Sequence, residues 1–198
     1  MKLCAVAPPL VVIAPTGSSY SLTNTGSISA ILGGTGVALT KTGAGTVTIS
    51  GANTYTGGTN ISAGQLYINS RNNALGSGTI VLGTTAGTAD ASLFLYQSLV
   101  NNDITVASGT GARTIQFDEG GIFAQTTGSN ISLSNNLDVV NQANGGGKTF
   151  VLSGTLTGTG NMTFTNTSAG ETRQSNTINN TGTLTHDGGG FFSVKVLE

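Results

Sequence analysis

The stretch LTKTGAGTVTISGANTYTGGTNISAGQLYI, residues 39–68, decides how the rest of the chain is read. Short apolar/polar alternations stand between glycines. Val47 and Ile49 alternate with Thr46, Thr48 and Ser50; Leu66 and Ile68 alternate with Gln65, Tyr67 and Asn69. A period of two puts one set of side chains on one face of a strand.

The same punctuation runs outward in both directions. Strand candidates recur from residues 27–32 and 37–39, through 92–96, 114–117, 121–124 and 137–140, to 191–197. Between them stand clusters such as Gly33-Gly34, Gly76-Ser-Gly78, Gly109-Thr-Gly111 and Gly145-Gly-Gly147. Helical periodicity is missing. The pattern predicts an all-β chain.

An all-β chain leaves a sandwich or a solenoid. The composition favours the solenoid. There is no Trp, aromatics are 6%, and Thr, Ser and Asn recur inside the strand candidates. The motifs are also self-similar: Leu39 to Ile49 is echoed by Leu156-Thr-Gly-Thr-Gly-Asn-Met-Thr-Phe164. In a solenoid each coil is a thin layer whose few apolar residues stack on those of the next. Thr and Asn stack in ladders that satisfy their polar groups. Glycine fits the corners.

Residues 39–68 resemble the autotransporter-associated β-strand repeat, also called the passenger-associated transport repeat. Leu39, Thr40, Lys41, Gly43, Gly45, Thr46, Gly51, Asn53, Thr54, Tyr55, Gly57, Thr59, Ala63, Gly64 and Leu66 carry the resemblance. Val47 and Ile49 stand where the repeat usually has leucines, and residues 73–82 fit its downstream pattern. The remainder of the chain shares only composition and rhythm. The resemblance implies a right-handed parallel β-helix on a secreted or surface bacterial protein. It also implies a repeat that supports export and folding, with no catalytic residues to carry over. The segment ending Phe191-Phe-Ser-Val-Lys-Val-Leu-Glu198 has no room for a translocator barrel. The expectation is an excised passenger fragment or a short protein using the same coil.

Charge argues against several functions. Lys+Arg 7 against Asp+Glu 8 gives a net charge of −1, no field for nucleic acid or an anionic membrane. High glycine with 37% hydrophobic residues raises disorder as a competitor, but neither net charge nor proline is high. The single cysteine, Cys4, allows no internal disulfide. Residues 1–15 are apolar and carry all three prolines, which resembles a signal peptide only in part and is too short to span a bilayer.

Few side chains suggest chemistry. Asp118 and Glu119 are adjacent carboxylates, but neighbours on a strand face opposite ways and do not converge on a substrate. His186 is the only histidine, and no cysteine cluster accompanies it, so transition-metal binding is unsupported. The aspartates lack the spacing of a repeated calcium site. Lys41 and Tyr55 suggest either surface contact with a glycan or partner, or a stem and a ring covering a coil edge, the favoured reading. Sequons at Asn60, Asn130 and Asn161 are expected by chance in such a chain and are not read as glycosylated.

The ends carry more interest. Val6, Leu10, Val11, Val12 and Ile13 begin the chain; Phe191, Phe192, Val194 and Val196 close it. A solenoid ends in open sheet edges. Apolar ends fold over as caps, continue into further coils, or stack head to tail as a filament. The head could also be donated to a neighbour as a strand.

The expected organisation is residues 1–26 as an apolar cap, donated strand or partial signal, and 27–198 as coils. The expected function is that of a non-enzymatic structural β-solenoid without cofactor, secreted or on the cell surface. The alternatives are a head-to-tail fibre subunit and a glycan-binding or glycan-cleaving β-helix. The partners expected are further copies, flanking coils of a longer chain, or surface glycans, with no nucleic acid and no membrane span.

Overall fold

A computed structural model describes residues 12–13, 19–69, 74–96, 98, 100–118, 125–142, 149–167, 171–174, 177–189 and 191–194. Strand β1 (Val12–Ile13) precedes a first coil of β2 (Tyr20–Leu22), β3 (Gly26–Ile28) and β4 (Leu32–Gly33). Three coils of two strands follow: β5 (Leu39–Lys41) and β6 (Thr46–Ile49), β7 (Thr59–Ile61) and β8 (Gly64–Asn69), β9 (Ile80–Leu82) and β10 (Ala91–Tyr96). The later coils add a third strand. These are β11 (Ile104–Val106), β12 (Arg113–Asp118) and β13 (Gln125–Thr127), then β14 (Ile131–Leu133), β15 (Leu137–Asn141) and β16 (Thr149–Leu152). They continue as β17 (Leu156–Gly158), β18 (Met162–Asn166) and β19 (Glu171–Gln174), and end with β20 (Ile178–Asn180), β21 (Leu184–Gly188) and β22 (Phe191–Val194). No helix occurs among the described residues.

Every pairing is parallel and joins one coil to the next. One eight-stranded sheet runs β2-β5-β7-β9-β11-β14-β17-β20; the other runs β3-β6-β8-β10-β12-β15-β18-β21. A four-stranded sheet, β13-β16-β19-β22, forms a third side of the later coils. The fold is therefore a β-solenoid, as the glycine-punctuated alternation predicts. A sandwich would need antiparallel neighbours.

The register explains the core. Leu39, Thr59, Ile80, Ile104, Ile131 and Leu156 form one inward column. Val47, Leu66, Leu93, Ile115, Val139 and Phe164 form another. All are buried. Burying one such apolar side chain contributes about 1.5–3 kcal/mol. Leu39 and Leu156, matched in the sequence echo, stand in the same column. A third column changes character: Ile49, Ile68, Leu95 and Phe117 give way to Asn141 and Asn166, both buried. The expected asparagine stack thus lies inside the later coils.

Coil length is not constant. It is 20 residues from Leu39 to Thr59 and 27 from Ile104 to Ile131. The extra residues fall in corners and on the third side, so strand registers survive.

Two expected limits shift. Tyr20–Leu22 already pairs with Leu39–Lys41, so the coils begin before residue 27. The expected strand at 27–32 is two strands, Gly26–Ile28 and Leu32–Gly33, because the chain turns a corner between them. The strand expected at 121–124 lies outside the described residues. The head is not free: Val12–Ile13 pairs with Leu32–Gly33 of its own chain.

Candidate functional site

The repeat motif places polar side chains where an apolar core would otherwise be. Lys41 closes β5 in an inward position, in register with Leu22 and Ile61. It is fully buried. Its ammonium donates to the carbonyls of Gly43 and, at 3.2 Å, Ala63. Among the described residues no ion pair accompanies these bonds, and burial holds its pKa below the usual lysine value.

Asn53 is buried at the next corner. The backbone N–H of Leu32 donates to its Oδ1 at 2.7 Å, and its Nδ2 donates to the carbonyl of Ala74 at 2.5 Å. One carboxamide therefore joins three successive coils. Tyr55 is buried, with its hydroxyl 2.7 Å from Thr59 Oγ1. Burial pushes its pKa well above the usual tyrosine value, opposed in part by that hydrogen bond. Surface contact by Lys41 or Tyr55, and a stem or ring covering an exposed edge, are both excluded by this burial. Each satisfies a polar group at a coil junction instead.

The motif glycines have the same role. A Cβ on Gly43 would overlap the carbonyl oxygen of Thr23 in the coil before, and one on Gly51 that of Ala30. Gly64, at φ +70°, meets the Gly43 and Gly45 carbonyls as well. Gly45 and Gly57 also face the preceding coil closely. Thr40 and Thr46 are half-buried on the outer faces. The Thr46 hydroxyl donates to Gln65 Oε1 at 3.4 Å.

Corners of later coils repeat the device with other residues. Asp103 Oδ1 accepts the N–H of Asn130 at 3.0 Å, and Asn130 Oδ1 accepts that of Thr155 at 3.0 Å. Asn136 accepts from Asn161 and Asn161 from Thr183 in a second ladder. The carboxamides of the sequon residues Asn130 and Asn161 are thus engaged in coil stacking. The sequence shows these ladders only as Asx residues immediately before strands.

Arg113 is a buried cation that sequence reading passes over. Its Nη1 donates to the Ala89 carbonyl at 2.8 Å, while Nε and Nη2 have no partner among the described residues. Gly83, at φ +87°, leaves the space its guanidinium occupies. Burial lowers its pKa and Asp90 opposes the shift.

The carboxylates among the described residues do not gather. Asp118 ends β12, half-buried on the outer face, and Glu119 lies outside the described residues. His186 is in β21, with Nε2 3.5 Å from Asn166 Nδ2. Among the described residues no three His, Cys, Asp or Glu side chains lie close enough to share a metal ion.

An outward aromatic cluster is new. Tyr67 and Phe94 are register partners on β8 and β10, with ring centroids 4.7 Å apart and planes at 60°. Tyr67 and Tyr96 are nearly parallel, 6.2 Å apart and 24° between planes. All three are half-buried on the outer face of the second sheet. Gln116 follows Phe94 and Asp118 follows Tyr96 in register. Burial, then the charges of Tyr96 and Asp118, raise the Tyr67 pKa. The alternation at Gln65–Asn69 and Ser92–Tyr96 signals these outward rings, but only the register brings the two runs side by side.

Of the apolar ends, Val6, Leu10, Val11 and Val196 lie outside the described residues. Val12 and Ile13 belong to β1, and Phe191, Phe192 and Val194 to β22, which pairs with β19. In the first coil Tyr20, Leu22 and Ile28 are buried, whereas Ile178 and Leu184 of the last coil are half-buried.

No curated protein and no solved structure matches the chain. Within this β-solenoid, residues 39–68 match the passenger-associated-transport-repeat family.

Proposed function

We propose that this chain is a non-enzymatic structural segment of a secreted or cell-surface bacterial protein, the rod of an autotransporter-like passenger. The observation that carries this reading is the inward placement of the motif. Lys41, Asn53 and Tyr55, its most reactive or polar side chains, are buried and bonded between coils. A motif used up in stacking contributes rigidity and coil-by-coil growth. The matched repeat implies a secreted or surface location. Rods of eight parallel layers at about 4.8 Å spacing are roughly 35 Å long. Small-angle scattering of the purified chain is expected to fit that rod, and a polysaccharide panel to pass unhydrolysed. Turnover of any polysaccharide that Asp118→Asn abolishes would overturn the non-enzymatic reading.

The half-buried Ile178 and Leu184 favour a second reading, a fibre subunit stacking through the β20/β21 edge. An open edge accepts another strand. Electron microscopy separates the two: long uniform fibres support the subunit, and isolated rods at high concentration sink it.

A further inference from the structure

We propose that the Tyr67–Phe94–Tyr96 cluster on the outer face of β8 and β10 is a binding platform for a neutral, β-linked pyranose polysaccharide. The rod has no use for these rings in its core. Among the described residues Tyr20, Tyr55, Phe117 and Phe164 are the aromatics stacked inside. Elsewhere the outward rows of this sheet are mostly short polar residues, such as Thr48, Ser92, Thr114, Thr163 and Thr165. Three rings grouped on one outer face, with centroids 4.7 and 6.2 Å apart, break that pattern.

The chemistry of the patch selects the ligand. Aromatic faces are electron-rich and attract polarised C–H groups. A β-linked pyranose with equatorial hydroxyls presents C–H groups on its ring faces and hydroxyls at its edge. Gln116 and Asp118 continue the Phe94 and Tyr96 rows and offer a donor and acceptors at the edge of the rings. Charge narrows the choice further. Asp118 is the charged side chain in these rows beside the rings, and no cation accompanies it among the described residues. An anionic polymer meets repulsion there, and a neutral one does not. The site adds binding to the rod and requires no catalysis.

The test uses the full chain. Retention on insoluble cellulose and on chitin is measured at low salt and at about 1 M salt, where the Debye length is about 3 Å. The chain has Tyr 4 and no Trp, and Tyr20 and Tyr55 are buried out of a ligand's reach, so a ligand-dependent change in tyrosine emission reports on Tyr67 and Tyr96. Retention that salt does not weaken is expected, with a saturable emission change on titrating a soluble cello- or chito-oligosaccharide. The double variant Tyr67→Thr/Tyr96→Thr keeps β-formers on the strands and is expected to bind about tenfold or more weakly. The emission titration of the unmodified chain decides the matter even if that variant misfolds. Absence of both retention and emission change overturns the proposal. So does a folded double variant that binds like the parent, binding lost in salt, or capture of only an anionic polysaccharide or a protein partner.

Discussion

The backbone N–H of Leu32 donates to Oδ1 of Asn53 at 2.7 Å, across a coil boundary and 21 residues apart in the chain. Asn53 Nδ2 then bonds the Ala74 carbonyl in the following coil. Removing this side chain leaves a buried donor and a buried acceptor unsatisfied, each costing about 1–3 kcal/mol. Asn53→Ala is expected to lower stability by about 2–4 kcal/mol, read from the urea midpoint. A change below about 0.5 kcal/mol would show that the stitch contributes little.

Lys41 gives a pH signature. Its folded pKa is lowered by burial. Between that value and the unfolded one near 10.5, the unfolded chain binds more protons, so stability rises with pH through this window. Below both values the cost of burying the cation is fully present. Relative to Lys41→Met, the parent chain is expected to gain stability as pH is raised toward the ordinary lysine value of 10.5. Parallel stability curves for the two would count against a buried cation.

The glycines separate close approach from conformation. A Cβ on Gly43 meets the Thr23 carbonyl, a backbone group that cannot swing away. Gly128 has open space and no positive φ. Gly43→Ala is expected to cost about 3 kcal/mol or more by forcing coils apart, and Gly128→Ala to stay within about 0.5 kcal/mol. Gly36, at φ +71° in open space, should fall between, at about 1–2 kcal/mol. Thermal unfolding of the three variants checks the order.

Tyr55 should ionise late. Burial raises its pKa well above the ordinary tyrosine value of 10.0. Alkaline absorbance titration of the folded chain is expected to show a late tyrosine component that Tyr55→Phe removes. In the parent chain its ionisation lags that of the unfolded chain, so this residue withdraws stability as pH rises above about 10. A titration completed near the ordinary tyrosine value while the chain stays folded would contradict its burial.

Hydrogen exchange should map the rod. Leu93 and Leu95 lie in a coil flanked on both sides, whereas β20 and β21 each have one sheet neighbour. Amides of Leu184–Gly188 are expected to exchange faster than those of Ala91–Tyr96, by one to several orders of magnitude. Equal protection would mean that the last coil is covered in solution.

The sequence by itself determined the solenoid. Alternation between glycines, few aromatics, Thr, Ser and Asn inside the strand runs and the Leu39/Leu156 echo favour thin stacked coils over a sandwich, and all can be read along the chain. It also located the motif at 39–68, which spans two successive coils. It did not determine what the motif does. Lys41 and Tyr55 look like surface residues because charge and hydroxyl favour water, and only stacking supplies the carbonyls and the Thr59 hydroxyl that let them be buried. The Asx ladders and the Tyr67–Phe94–Tyr96 cluster join residues 22 to 29 positions apart, in coils whose length varies from 19 to 27 residues. With no fixed period, no sequence window aligns them. Parallel register, set by the packing of the inward columns, decided which outward side chains meet.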